Sequence, residues 1–290
     1  MASETEFLQQ VRAAASTDRP RRLNLGCGSR FHPAWVNVDL RPQHPSVRAH
    51  DVTAPLPFPD ESFDAVYHAH LLEHLPRACA LPFARECFRV LRPGGILRVV
   101  VPDLEQIARL YLQALPGALL GDAEAQRRHA WAVLELCDQV VRERSGGEML
   151  PYLAAEPTAL AWYRLGTDGT IIRAHLERHS PSPHPDPPPR EGRERWHWLR
   201  GWRERLIRWL LGSEYESLQI GRFRKSGEVH LWMYDRHSLR ALLTEAGFVA
   251  FRLVSAGESA IAGWADQHLD TQPGGAAAKP DSLYAEALRP

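Results

Sequence analysis

The sequence of 290 residues has no apolar run that reaches the about 18 residues needed for a membrane-spanning helix. It also has no excess of charge of either sign, because 35 lysines and arginines balance 35 aspartates and glutamates. A general electrostatic affinity for nucleic acid is therefore not expected, although a local basic patch is compatible with this balance. At this length the chain can bury a sizeable core, as one large domain or as a domain with an insertion.

Cysteine is rare, and its four positions are far apart without a CxxC pair: Cys27, Cys79, Cys87 and Cys137. Neither a zinc site nor a disulfide framework is expected from this spacing, and free thiols are typical of a reducing compartment. Residues 1–16 lack a basic region ahead of a long apolar core, so no signal peptide is expected either. We therefore expect a soluble, cytoplasmic protein.

The pattern around which the chain is organised is RLNLGCGSRF, residues 22–31. Its apolar start predicts a strand, and Gly26 and Gly28 are the residue type needed where a backbone turns sharply and a ligand comes close. A second apolar run, 35–38, ends at Asp39. This order of strand, glycine turn, strand and acid indicates a nucleotide or nucleoside site at the carboxyl edge of a parallel sheet, where the acid accepts from ribose hydroxyls. Taken alone, the glycine pair could equally mark a tight loop that binds no ligand.

Two later stretches extend this pattern: DVTAPLPFPDESFDAVYHAHLLEHL from Asp51, and FRVLRPGGILRVVVPDLE from Phe88. Together with the glycine turn they resemble the class I S-adenosylmethionine-dependent methyltransferases, in the group with a type 11 methyltransferase domain. The resemblance covers residues 22–103, with a weaker similarity near the C-terminus. It implies S-adenosylmethionine as the cofactor, S-adenosylhomocysteine as its product, and no metal.

The resemblance also implies which residues bind the cofactor. Asp39 would bind the ribose, and Asp51 would receive the adenine amino group while the residue after it presents a backbone N–H to the ring. A carboxylate beside an amide matches the donor and acceptor edges of adenine. For Asp51, the alternative is a cap on the following turn. The complete implied set is Asn24, Gly26, Cys27, Gly28, Asp39, Leu40, Asp51, Val52, His68 and Ala69.

Two positions depart from the family pattern, which expects an acid at Asn24 and a third glycine at Arg30. The amide of Asn24 can still hydrogen-bond, whereas Arg30 brings bulk and charge close to the methionine end of the cofactor. The crossover between the first two strands is also short, with Pro33 inside residues 29–34. A loop is therefore expected there in place of the helix that the family usually has.

Histidines gather after the fourth predicted strand. Since side chains alternate along a strand, His68 and His70 are predicted to point the same way and Ala69 the other. The resemblance puts His70 close to the sulfonium of the cofactor, and a helix-capping histidine is the alternative. A metal pocket formed by these histidines and His74 is disfavoured, because the Glu73–His74 pair recurs in this group without a metal.

A second candidate for acid–base chemistry is a polar stretch at residues 222–235, which contains His230 and Tyr234. The unperturbed pKa of a histidine is near neutrality, so His230 or His70 could remove a proton if the methyl acceptor is a hydroxyl. The candidate catalytic residues are therefore His230, His70 and Tyr234, with surface salt bridging as the alternative for this stretch. Methyl transfer from a sulfonium also needs little more than positioning, since the leaving group is already good.

The order of strands and crossovers predicts an α/β fold: a Rossmann-like, doubly wound, seven-stranded sheet with an antiparallel last strand and a helical insertion. The expected parts are an N-terminal helical arm (1–19), a Rossmann-like cofactor-binding core (20–103), a helical insertion or lid (104–231) and a C-terminal part of the core (232–290). A helix is predicted at 235–246, capped by Asp235 and stopped by Gly247.

The insertion is predicted to hold two or three helices and a mobile, proline-rich loop at residues 179–193. Because it falls between the fifth strand and the last two, it should lie over the carboxyl edge of the sheet and shape the acceptor pocket. Its last helix, within 195–211, interleaves tryptophans and arginines. That mixture suits contact with a membrane surface or with an anionic partner. The alternative is a helix that packs on the domain and exposes a cationic face.

These features predict a methyltransferase that modifies an oxygen or nitrogen of a small molecule, a sugar or a peptide. An RNA methyltransferase is the second hypothesis, supported only by the arginine and tryptophan helix. A non-catalytic protein that binds S-adenosylmethionine is the third. A nicotinamide enzyme is a weaker match, because the glycine turn lacks the G-x-G-x-x-G spacing.

Overall fold

The computed structural model describes residues 21–155, 158–179 and 194–290. The predicted N-terminal arm at 1–19 and nearly all of the predicted proline-rich loop at 179–193 lie outside the described residues. Among the described helices, none combines the length and the apolar character that crossing a lipid bilayer requires.

Within the described residues, seven strands form one sheet in the order β3-β2-β1-β4-β5-β7-β6. Strands β1 to β5 pair in parallel, and β7 runs antiparallel to both β5 and β6. The predicted Rossmann-like sheet with an antiparallel last strand is confirmed. The strands are β1 (Arg22–Leu25), β2 (Val36–Asp39), β3 (Val47–Ala49), β4 (Phe63–Ala69), β5 (Leu91–Pro102), β6 (Val249–Leu253) and β7 (Ser282–Leu288).

The two faces of the sheet are covered differently. On one face, the sheet packs against helices α1 (Arg77–Val90) and α9 (Arg236–Glu245), which contribute Phe83 and Leu239 to the core. The other face is covered by aromatic residues. There the rings of Trp35, Tyr67 and Trp264 meet edge to face, with centroids 5.1 to 6.1 Å apart. Central strands such as β5 are buried on both faces, as expected for strands covered in this way.

Helix α9 begins where the sequence predicts. The Asp235 carboxylate accepts hydrogen bonds from the backbone N–H groups of His237 and Ser238, and the Ser238 hydroxyl accepts one from the Asp235 N–H. This capping box satisfies backbone donors that the first helical turn leaves free. The chain then leaves the helix through Gly247, whose positive φ of 106° suits glycine.

Within the described residues, seven helices lie between β5 and α9, so the prediction of two or three was wrong. They are α2 (Leu104–Leu119), α3 (Ala123–Val141), α4 (Met149–Ala155), α5 (Ala159–Leu165), α6 (Thr167–His179), α7 (Glu194–Leu211) and α8 (Glu214–Arg224). Helices α4 and α5 have only seven residues each, and α8 buries none of its residues. Such helices show little of the apolar periodicity on which prediction depends.

Candidate active site

The site begins at the turn after β1. Gly26 and Gly28 adopt left-handed backbone conformations, with φ of 63° and 50°, which glycine accommodates without strain. A Cβ at Gly26 would also lie 2.8 Å from Leu71 Cδ1. Inside the turn, Asn24 Nδ2 donates to the Arg30 carbonyl and to Asn37 Oδ1 at 3.2 and 3.1 Å. Asn24 therefore links β1 to β2 and to the end of the turn.

Asp39, at the end of β2, is fixed directly against this turn. Its Oδ2 accepts a hydrogen bond from the Gly28 N–H at 2.8 Å, and its Oδ1 accepts one from the Arg41 N–H at 2.8 Å. Leu40, between these contacts in sequence, is exposed. The structure thus brings Asp39 and the glycine turn together, as the sequence pattern indicated.

Asp51 lies just beyond β3, at the same edge of the sheet as Asp39. Its carboxylate accepts from the Thr53 hydroxyl at 2.7 Å and from the Thr53 N–H at 2.9 Å, and these bonds lower the pKa of Asp51. Asp51 therefore does cap the following turn, the alternative considered above. Its side chain is exposed, while that of Val52 is buried.

A cavity of about 250 Å³ opens at the carboxyl ends of β1 and β4. Its walls come from the glycine turn, the end of β4, the start of α6 and the segment 269–284. Of the residues proposed from sequence, those lining it are Asn24, Gly26, Cys27, Gly28, Ala69 and His70. Those that do not line it are Asp39, Leu40, Asp51, Val52, His68, His230 and Tyr234.

The two histidines after β4 have different surroundings. His68 is buried with its ring 5.2 Å from that of Phe83, and burial lowers its pKa to about 4. His70 has a positive φ of 49°, so the chain turns there and the strand alternation that paired it with His68 does not extend to it. His70 lies at the cavity, with Nε2 2.9 Å from the Ser282 hydroxyl and Nδ1 3.1 Å from Glu73 Oε1.

His230 and Tyr234 lie beside Glu73 and outside the cavity lining. The His230 ring is 4.8 Å from that of His74, and burial lowers the pKa of His230 to about 3. The Tyr234 hydroxyl is buried without a hydrogen-bond partner among the described residues, and burial raises its pKa to about 12. Both side chains are therefore neutral near pH 7.

Helix α6 reaches the cavity with its first residues. The Arg30 guanidinium donates to the Thr167 hydroxyl at 2.7 Å and to the Leu269 carbonyl at 3.2 Å. Lys279 pairs with Asp168 across the same opening. Arg30 thus connects the glycine turn to the start of α6.

A buried polar network that sequence analysis missed supports the far wall. Tyr67 donates to Asp270 at 2.5 Å, and Arg98 Nε donates to the same carboxylate at 2.8 Å. Arg98 also lies 3.1 Å from Glu286 Oε1, and all four residues are buried. The available signal was Arg98 itself, the one charged residue in the apolar run 96–101, because a buried charge requires a buried partner.

One part of the chain is similar in sequence to known proteins. Residues 33–99 match the family model described as a methyltransferase domain. A probable S-adenosylmethionine-dependent methyltransferase of Mycolicibacterium smegmatis is 43% identical over 69 residues, which are 24% of this chain and 23% of that protein. The chain thus spans about a quarter of the length of this curated relative.

The solved structures that resemble this chain share less of its sequence. A SAM-dependent methyltransferase of Thermotoga maritima is 13% identical with a TM-score of 0.39, over 98% of this chain and 88% of that one. One from Archaeoglobus fulgidus is 19% identical with a TM-score of 0.27, over 38% of this chain and 58% of that one. Scores this low support no functional argument. Residues 33–99 are therefore similar in sequence to a methyltransferase domain, and the matched 69-residue stretch is similar to part of an S-adenosylmethionine-dependent methyltransferase.

Proposed function

We propose that this protein transfers a methyl group from S-adenosylmethionine to an oxygen or nitrogen of a small molecule, a sugar or a peptide. The observation that supports this most is the hydrogen bond from the Gly28 N–H to Asp39, which holds a carboxylate against the glycine turn, beside the cavity. Such a turn leaves room for the methionine part of the cofactor, and the acid accepts from the ribose. The implied residues Leu40, Asp51, Val52 and His68 remain part of this proposal.

The direct test supplies the purified protein with methyl-labelled S-adenosylmethionine and a fractionated extract of its source cell. We expect label in one acceptor fraction, together with S-adenosylhomocysteine. Donor binding without any labelled product would favour the non-catalytic hypothesis. Absence of donor binding would contradict both.

We further propose that residues 104–231 act as a lid over this site. Thr167, Asp168 and Ile171 of α6 line the cavity, and the bonds of Arg30 and Lys279 hold α6 against it. The acceptor would then enter between α6 and the end of β4. The expected core, at residues 20–103 and 232–290, would hold the cofactor.

His70 is the candidate catalytic residue that lies at the cavity, and we propose that it contacts the acceptor. Its ring is oriented from both sides by Glu73 and Ser282. We expect His70→Ala to lower kcat at least about tenfold, because misplacing a reactant by an ångström can cost about a hundredfold. The Kd for S-adenosylmethionine should change little. His230 and Tyr234 would act on the acceptor only indirectly, from outside the cavity.

For His70→Ala, the rate of label transfer is measured, and the affinity for the donor is measured separately by calorimetry. His237→Ala, which removes an exposed histidine of α9, is the matched control and should retain both values. Equal kcat for His70→Ala and the control would remove His70 from the acceptor site.

A partner surface is proposed on α7, whose side chains are described from residue 202 onward. Trp202, Leu206 and Trp209 recur at helical spacing on one exposed face, and Trp209 is 79% exposed. On the opposite face, Glu204 binds Arg222 of α8 at 2.9 Å. Arginines, including Arg203 and Arg205, flank the apolar face in sequence. We propose that this face contacts an anionic membrane surface, because an apolar helix face flanked by arginines is typical of helices that lie in the headgroup region of a bilayer.

We expect the protein to sediment with vesicles of anionic lipid and not with neutral ones. Trp209→Ala should weaken this binding about 10- to 150-fold, since burying a large apolar side chain contributes about 1.5–3 kcal/mol. Tyr163→Ala, at an exposed aromatic residue of α5, is the control. Equal binding to both lipids would contradict a membrane surface. Salt-sensitive binding of RNA instead would favour the RNA methyltransferase hypothesis.

A further inference from the structure

The most unusual polar group in the described residues is the carboxylate of Glu73. Glu73 is fully buried, and neither of its oxygens has a hydrogen-bond partner among the described residues. His70 Nδ1 lies 3.1 Å from Oε1, close enough for an ion pair but outside hydrogen-bond geometry. A buried carboxylate without hydrogen bonds is costly unless a cation compensates it. Positive charge beside Glu73, on His70 or on a bound cation, would therefore stabilise this carboxylate.

Two imidazoles approach the same carboxylate from different parts of the chain. His74 follows Glu73 on the short 3-10 turn after β4, and His230 comes from the segment before α9. One possible ligand atom from each of Glu73, His74 and His230 lies within 4.8 Å of the others. This set differs from the histidine pocket considered from sequence, because His230 takes the place of His68 and His70.

The tautomer of His74 is fixed by its neighbour. Nδ1 of His74 lies 3.1 Å from the Val229 carbonyl, which can only accept a hydrogen bond, so this nitrogen carries the proton. Nε2 of His74 is then left with a lone pair. A histidine whose second nitrogen donates to a backbone carbonyl is the usual arrangement for a metal ligand.

We propose that Glu73, His74 and His230 bind a divalent transition-metal ion, with zinc as the best match. Two imidazoles and one carboxylate are a donor set that zinc accepts, with a further position left open. The ion adds positive charge next to the buried carboxylate, on the side of Glu73 that His74 and His230 approach. This inference does not depend on the proposed methyl transfer, since it concerns binding alone.

The backbone already joins the two segments that the ion would bridge. The N–H groups of Leu231 and Trp232 donate to the Glu73 carbonyl at 2.7 and 3.2 Å, and the His230 N–H donates to the Gln139 carbonyl at 2.9 Å. A bound ion would therefore fasten the turn after β4 to the segment before α9. Because Glu73 also touches His70, the ion would stabilise one wall of the cavity from behind.

The test uses the untagged full chain, stripped with a chelator and then titrated with Zn²⁺ and Co²⁺. We expect one equivalent of either ion to bind, visible absorption from bound Co²⁺, and a higher Tm for the loaded protein. Glu73→Gln and His230→Asn should each weaken metal binding at least about a hundredfold. Even mutation of a residue that only hydrogen-bonds to a metal ligand lowers metal affinity about 10- to 100-fold. His237→Asn, at an exposed histidine of α9, should bind as the wild type does.

Two results would overturn the site. One is a stripped wild-type protein that binds neither ion, which would leave the imidazoles alone to compensate the carboxylate. The other is wild-type affinity in a folded Glu73→Gln or His230→Asn protein. If one variant does not fold, the Co²⁺ spectrum of the wild type and the affinity of the other variant decide the question.

Discussion

Replacement of Asp39 by alanine should raise the Kd for S-adenosylmethionine about 10- to 150-fold. The carboxylate is expected to accept from the ribose hydroxyls, and a hydrogen bond to a charged group contributes about 1.5–3 kcal/mol. The change would also release Gly28, whose N–H is held by Asp39 at 2.8 Å. Calorimetry with the donor and with S-adenosylhomocysteine measures the effect.

Two further variants make this result specific. Asp60→Ala removes an exposed acid that pairs with Arg89 away from the glycine turn, and it should bind the donor normally. Asp51→Ala distinguishes the two roles considered for that residue. A higher Kd for the donor supports contact with adenine, whereas an unchanged Kd shows that Asp51 only caps the turn. Wild-type affinity in Asp39→Ala would show that the donor does not lie against β2.

Replacement of Arg98 by methionine should lower the free energy of unfolding by about 3–5 kcal/mol. Arg98 is fully buried, and it pairs with Asp270 at 2.8 Å and with Glu286 at 3.1 Å. Removing one partner of a buried ion pair leaves uncompensated charge in the interior, which costs about this much. The guanidinium also lies 4.4 Å from the Trp264 ring centroid, so a favourable cation–π contact is lost as well.

The matched control is Arg109→Met. Arg109 is 65% exposed in its pair with Glu105, and such surface pairs contribute at most about 1 kcal/mol. Urea unfolding of both variants gives the comparison. If Arg98→Met and Arg109→Met unfold at the same urea concentration, the buried network does not stabilise the fold in the proposed way.

The parts of this molecule that sequence could predict are those specified by neighbouring residues. The glycine turn, the strand that ends in Asp39 and the capped start of α9 each depend on fewer than a dozen consecutive positions. The alternation of side chains along a strand predicted the direction of His68 and His70 less reliably. It holds inside β4 but ends at His70, where a left-handed residue turns the chain.

What could not be predicted depends on contacts between distant segments. Asp270 and Lys279 reach the cavity from the far end of the chain, and no local pattern marks either as a wall residue. His230 was predicted as a base on its ordinary pKa, but its surroundings are set by Glu73 and His74, more than 150 residues earlier. Burial there lowers the pKa of His230 to about 3, which sequence spacing does not reveal.

The position of β7 affects how the protein is made. Residues 282–288 are inserted between β5 and the edge strand β6, although they are the last strand to be synthesised among the described residues. Until they emerge from the ribosome, the edge of β5 has unpaired backbone groups, and such edges promote aggregation. A nascent chain that stalls before residue 282 should therefore depend on chaperones to remain soluble.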